Sequence, residues 1–427
     1  MEAITSKLTG ETLYHKKHKS GLEIYIMPRP DYSTSYAIFG TRYGSVDSNF
    51  VIPGDSHATE VPDGIAHYLE HKMFDQPDGS NVFDQFARLG ANANAFTSFN
   101  TTAYLFSATS NFEESLSVLL DYVQSPYFTA ESVQKEQGII GQEIKMYDDN
   151  GPWRVFFNML ESLYVNHPVR KDIAGTVESI SHITDDYLYK CYNTFYNLSN
   201  MMIFVTGDFD VEKIEKVIED GIKNVNPFNE EIKRIYPHEP DTVKQAYVEQ
   251  SLSVARPLFM IGYKDTDNGH KGKELIKKYI EVSIINKILF AKGSELFESL
   301  FKEGLVNDNF SSDYTAQPDY AHVAIDGESD NPKLVFEKIK AYIKDLIAKG
   351  LSKDEYERAK KVIWGDYIKS YNDVEEFAHA FLNLFMADAM YTDYEKVYSE
   401  ITYEGVCRRL ENLYNPDRAV LSVVNPL

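Results

Sequence analysis

His67-Tyr68-Leu69-Glu70-His71 places two imidazoles four residues apart with a carboxylate between them. On a helix of 3.6 residues per turn, positions 67, 70 and 71 fall within about 100° of arc. Two histidines on one face can chelate a zinc ion, and the glutamate beside them can take a proton from water activated there. The order is H-x-x-E-H, the inverse of the commoner H-E-x-x-H motif of zinc proteases. Five residues alone also describe an ordinary surface helix with two exposed histidines, so the surroundings decide. Asp63 or Pro62 can start a helix, and Ile65, Ala66, Leu69, Met73 and Phe74 supply an apolar face. The stretch reads as a short amphipathic helix with the metal candidates on its polar side.

A catalytic zinc needs a third protein ligand and an open position for water. The best candidate lies in Ser132–Tyr147. Glu136 and Glu143 are seven residues apart there, two turns, and share a face. Val133, Ile140, Ile144 and Tyr147 form the packed side of the same helix. Two acids on a helix are by themselves only a solvated face.

Taken together, these motifs resemble those of the pitrilysin and insulinase family, which includes the mitochondrial processing peptidase, and in particular its half-size, two-domain bacterial members. In that family H-x-x-E-H is followed by two glutamates seven apart, the second completing the zinc site. Here Glu143 stands 72 residues after His71, with Glu136 at the earlier acidic position. The resemblance therefore implies His67, His71 and Glu143 as zinc ligands. It implies Glu70 as general base and Glu136 as a carboxylate that orients a histidine ligand. Asn92–Phe99 matches the family's substrate-binding strand, which puts Asn94, Ala95, Phe96 and Thr97 against an extended peptide. His167-Pro168-Val169-Arg170 also resembles a motif of the bacterial members, with His167 as a turn or capping residue.

Composition agrees with a zinc peptidase. A chain of 427 residues is too long for one ordinary core, so two or more domains are expected. Apolar residues make up 43% and charged residues 25%, as in a globular protein. Two cysteines, Cys191 and Cys407, exclude a disulfide framework and suit a reducing compartment. The first twenty-one residues lack the apolar centre of a signal peptide, and no apolar run reaches the length of a membrane span, so a cytoplasmic location is the expectation. A net charge of −22 argues against nucleic acid, whose phosphates it would repel.

The sequence is also duplicated. Tyr196–Val205 resembles Tyr414–Val423, and Gly141–Tyr147 resembles Gly365–Tyr371, at nearly the same offset. Tyr367 stands where Glu143 stands in the first copy, and the second copy has no H-x-x-E-H. Only the first can hold the metal. Each copy reads as strands, helices and a closing strand, which gives an α+β class of two sandwich halves, mostly antiparallel sheet with helices packed on one face. The expected layout is a zinc-binding half over residues 1–224, a proline-containing linker over 225–245, and a metal-free half over 246–427. The resemblance implies that the two halves enclose a chamber.

One departure bears on activity. Active full-length relatives carry an arginine and a tyrosine, seven residues apart in the second half, that contact substrate near the zinc. Here Leu300 and Asn307 occupy those places. Neither offers the strong oriented hydrogen bonds that stabilise an oxyanion. The resemblance thus implies a heterodimer in which a related metal-free subunit supplies the pair. The alternative is a non-catalytic, peptide-binding or assembly subunit. His15 and His18 lie in a basic N-terminal stretch expected to be frayed and solvated. Cys191 and Cys407 are expected to be buried and inert, and the thirty tyrosines to serve mainly as core.

Overall fold

Ser35–Thr41 and Met201–Gly207 are buried at every position, so both faces of the sheet are covered where they run. They lie side by side in a seven-stranded sheet. Its order is Glu2–Thr5, Thr12–Lys17, Glu23–Pro28, Met201–Gly207, Ser35–Thr41, Thr102–Ala108, Asn92–Thr97. All neighbours are antiparallel except Glu23–Pro28 and Met201–Gly207, which are parallel. The structure, a computed structural model, describes residues 1–6 and 9–427.

A second, five-stranded sheet has the order Tyr247–Leu252, Ala419–Pro426, Leu258–Asp265, Ala321–Glu328, Ser311–Ala316. Here one pair, Tyr247–Leu252 with Ala419–Pro426, is parallel and the rest are antiparallel. Strand for strand, this repeats the last five strands of the larger sheet. The sequence duplication is thus a duplication of topology, and the α+β class holds.

Two compact units result. One comprises residues 1–144, 172–236 and 370–386; the other comprises 145–171, 237–369 and 387–427. They differ from simple sequence halves because each takes a helix from the other copy. Val374–Met386 packs on Ser35–Thr41 and Met201–Gly207 in the first unit. Gly151–Leu163 packs on Leu258–Asp265 and Ala419–Pro426 in the second. Glycine makes both seatings possible. A Cβ on Gly40 would lie 2.5 Å from Leu382 Cδ1, and one on Gly262 would lie 2.4 Å from Met159 Sδ. The first unit also ties its borrowed helix by charge. Arg42 donates from Nη1 to the Met386 carbonyl at 2.9 Å and from Nη2 to the Phe385 carbonyl at 2.6 Å. A guanidinium there satisfies carbonyls that a helix C-terminus leaves open.

Among the described residues, the N-terminal segment that carries His15 and His18 is not frayed. Glu2–Thr5 and Thr12–Lys17 form a hairpin at the sheet edge. His15 stacks on Tyr25 with centroids 4.6 Å apart and donates to Glu23 at 2.7 Å. His18 is buried, with Nδ1 2.8 Å from the Ser20 hydroxyl. His15 gains its partners across strands and His18 within its own turn, which a reading of local polarity does not reveal. His167 does cap a turn, its Nδ1 accepting from the Val169 amide at 3.1 Å.

Candidate metal centre

The H-x-x-E-H residues lie on a two-turn helix, Ile65–Lys72. It is buried on nearly every side rather than amphipathic: Ile65, Ala66, His67, Tyr68, Leu69, Glu70 and Lys72 are all enclosed. Lys72 is buried with its ammonium paired to Asp75. Gly64 begins the helix with φ +89°, and a Cβ there would meet the Ala174 carbonyl oxygen at 2.4 Å. Only glycine adopts that conformation freely and permits that approach.

Glu136 and Glu143 lie on the longer helix Ala130–Asp148, whose Val133, Ile140, Gly141 and Ile144 are buried. The Tyr68 hydroxyl donates to the Val133 carbonyl and ties the two helices together. His67 Nε2 lies 3.6 Å from Glu143 Oε1, and His71 Nε2 lies 3.5 Å from Glu143 Oε2. One ligand atom from each of His67, His71 and Glu143 falls within 4.8 Å of the others. Separations of that size are too long for hydrogen bonds. They match the edge of a tetrahedron around zinc, about 3.4 Å for bonds of about 2.1 Å. The donor set and its spacing therefore fit a zinc ion.

The other ring nitrogen of His71 is engaged. Nδ1 donates to Glu136 Oε1 at 3.1 Å, which turns Nε2 toward Glu143. Burial disfavours a charged His71 ring, but the Glu136 hydrogen bond and the charges of Glu143 and Glu70 outweigh it, so its pKa sits above the ordinary value. Burial pushes the Glu70 carboxyl up, and the Thr97 hydrogen bond with the nearby His67 and His71 only partly offsets this. A raised pKa makes Glu70 a better proton acceptor than a solvated glutamate.

Asn94, Ala95, Phe96 and Thr97 belong to Asn92–Thr97, the terminal strand of the seven-stranded sheet. It pairs with Thr102–Ala108 along one side, so its outer backbone groups are those of a sheet edge. Asn94 and Ala95 line a cavity of about 880 Å³ together with Glu70, His71, Glu136 and Phe74. The Phe74 ring stacks on Phe83 at 4.4 Å in the same cavity. Neither the Tyr68 tie nor the hydrogen bond from Thr97 to Glu70 is encoded in residue spacing. Gly64, directly before the helix, was the one local signal of its tight docking.

Residues 50–177 match the family described as Insulinase (Peptidase family M16), and residues 182–363 match the Peptidase M16 inactive domain. A zinc protease of Bacillus subtilis, YmfH, itself uncharacterized, is 42% identical over 97% of both chains. This chain belongs to peptidase family M16. Among solved structures, an M16-like peptidase from Alicyclobacillus acidocaldarius is 36% identical with a TM-score of 0.94, covering 99% of this chain and 100% of that one. A protease from Helicobacter pylori, 19% identical, shares the fold with a TM-score of 0.81 over 97% of this chain and 99% of that one. No helix among the described residues of this M16 chain is long and apolar enough to cross a membrane.

Proposed function

We propose that this chain is the metal-bearing subunit of a zinc-dependent endopeptidase that cleaves extended or unfolded peptides. The observation that carries this reading is the convergence of His67, His71 and Glu143 within 4.8 Å, next to the enclosed Glu70. Similarity to proteins named zinc proteases supports the choice of metal. Bound there, zinc would supply Lewis-acid activation of water and of the scissile carbonyl. Glu70 takes the proton from the attacking water and delivers it to the leaving amine. Glu136 holds His71 by its Nδ1. The edge strand Asn92–Thr97 pairs main chain to main chain with the substrate, which selects extended segments over folded ones.

The second unit lacks the donors that the family resemblance calls for. Leu300 is buried in its core, and Asn307 donates from Nδ2 to Glu328 at 2.8 Å. A related metal-free subunit therefore provides the Arg–Tyr pair, and the working enzyme is a heterodimer. A reducing cytoplasm suits Cys191, whose thiol is fully enclosed and pushed up to about 12 by burial. The second reading, a non-catalytic peptide-binding or assembly subunit, is favoured only by Leu300 and Asn307.

The test is peptide cleavage and zinc content of wild type and Glu70→Gln, each alone and with the co-purifying subunit. Zinc in both forms, with cleavage only by wild type and stimulated by the partner, is the expected outcome. Cleavage retained by Glu70→Gln removes Glu70 from its role. No cleavage by any combination favours the second reading.

A further inference from the structure

Thr97 ends the edge strand, and its hydroxyl donates to Glu70 Oε2 at 2.6 Å. Its oxygen lies 3.3 Å from the hydroxyl of Thr102, its cross-strand partner. Thr102 in turn donates to the Tyr43 carbonyl at 2.9 Å, and both Thr102 and Tyr43 are fully buried. The Thr102 proton is thus committed to the backbone, and the single Thr97 proton is committed to the glutamate. Among the described residues, no other hydrogen bond reaches the Glu70 side chain. A glutamate has three side-chain torsions, and packing of its stem does not fix the carboxylate at the end.

We propose that Thr97 is a positioning residue for Glu70. Its hydroxyl anchors Oε2 and leaves Oε1 as the oxygen that receives the proton. The Thr97 hydroxyl then has no proton left to donate to a substrate. The arrangement also joins two parts of the site. The strand whose edge pairs with the peptide ends in the residue that holds the base, so a displacement of that strand displaces the carboxylate. This inference rests on the peptidase reading above and assigns a role within it.

The test compares wild type, Thr97→Val and Thr97→Ser as zinc-loaded protein with the subunit that accompanies it. Valine keeps the shape and removes the proton donor; serine keeps the donor. Thr97→Val is expected to lower kcat roughly tenfold or more with KM within about twofold. Its zinc content should equal that of wild type, and Thr97→Ser should retain most of the activity. A wild-type kcat in Thr97→Val, or a raised KM with kcat unchanged, overturns the proposal. Crystal structures of zinc-loaded wild type and Thr97→Val give a readout that needs no cleavage. A Glu70 carboxylate displaced in the valine variant supports the role, and one left in place overturns it. Should wild type fail to cleave while Glu70 still moves in the variant, the peptidase reading fails and the positioning role stands. If Thr97→Val does not fold, Thr97→Ala takes its place in both measurements.

Discussion

His71 is held by Glu136 through Nδ1, at 3.1 Å, on the side of the ring opposite the nitrogen that faces Glu143. The hydrogen bond puts the proton on Nδ1, leaves the Nε2 lone pair for the metal, and sets the ring plane. Replacing Glu136 by glutamine removes the negative charge while keeping the size. Zinc affinity, measured by competition with a chromophoric chelator, should fall about tenfold or more. Unchanged affinity would show that packing alone orients the ring.

The same contact gives the zinc affinity a pH dependence. His71 sits above its ordinary pKa in the metal-free protein, chiefly because the Glu136 hydrogen bond and the Glu143 and Glu70 charges outweigh burial. Zinc must displace that proton. Affinity should therefore be full at alkaline pH and begin to decline, as pH falls, above the value for a free imidazole, about 6.5. In Glu136→Gln the decline should begin at lower pH. Chelator competition across this range checks both curves.

Much of the site was legible because its chemistry is written in spacings. H-x-x-E-H and the pair Glu136 and Glu143 each put their functional atoms on one helix face, and helix geometry does the rest. The strand Ser35–Thr41 reads from its apolar run with the bounds it has, and Ala321–Glu328 reads as a shorter strand over residues 321–325 because its last residues are polar or glycine. The exchange of Gly151–Leu163 and Val374–Met386 was not legible, because an amphipathic helix records that it has a partner and not which sheet the partner is. The short sheet of Lys233–Arg234, Asn49–Val51 and Ala58–Glu60 was missed because two or three residues carry no period. Thr12–Lys17 does not read as ordered because its polar side chains find their partners far along the chain or on other elements: His15 on Glu23, and Lys16 on Glu215 and Glu219 of the helix Val211–Gly221.

Helix exchange puts a steric demand on Gly40. Gly40→Ala drives a methyl into Leu382 Cδ1 at 2.5 Å inside a closed core. The expected cost is about 1–3 kcal/mol, seen as a lower urea midpoint. Gly40→Ala combined with Leu382→Ala should show less than the sum of the two single losses, because one change makes room for the other. Additive losses would place the helix elsewhere.

His322 gives the second unit an acid sensitivity of its own. It is fully buried, its Nδ1 3.0 Å from the Tyr164 hydroxyl, and burial lowers its pKa to about 4. In the unfolded chain it titrates near 6.5. Between these values the unfolded state binds the extra proton, so stability is lost as pH falls from about 6.5 toward 4, by up to roughly 3 kcal/mol. Urea melts at several pH values should show that loss, and His322→Gln should flatten this part of the profile. An unchanged profile in the variant would assign the acid sensitivity to other groups.

On the proposed function, His67, His71 and Glu143 jointly hold one zinc ion. Anomalous diffraction across the zinc edge tests it most directly. The expected result is a single peak bonded to His67 Nε2, His71 Nε2 and a Glu143 carboxylate oxygen, each at about 2.0–2.2 Å. A zinc-saturated crystal with no peak among these three side chains, or with the zinc bound at other residues, would contradict it.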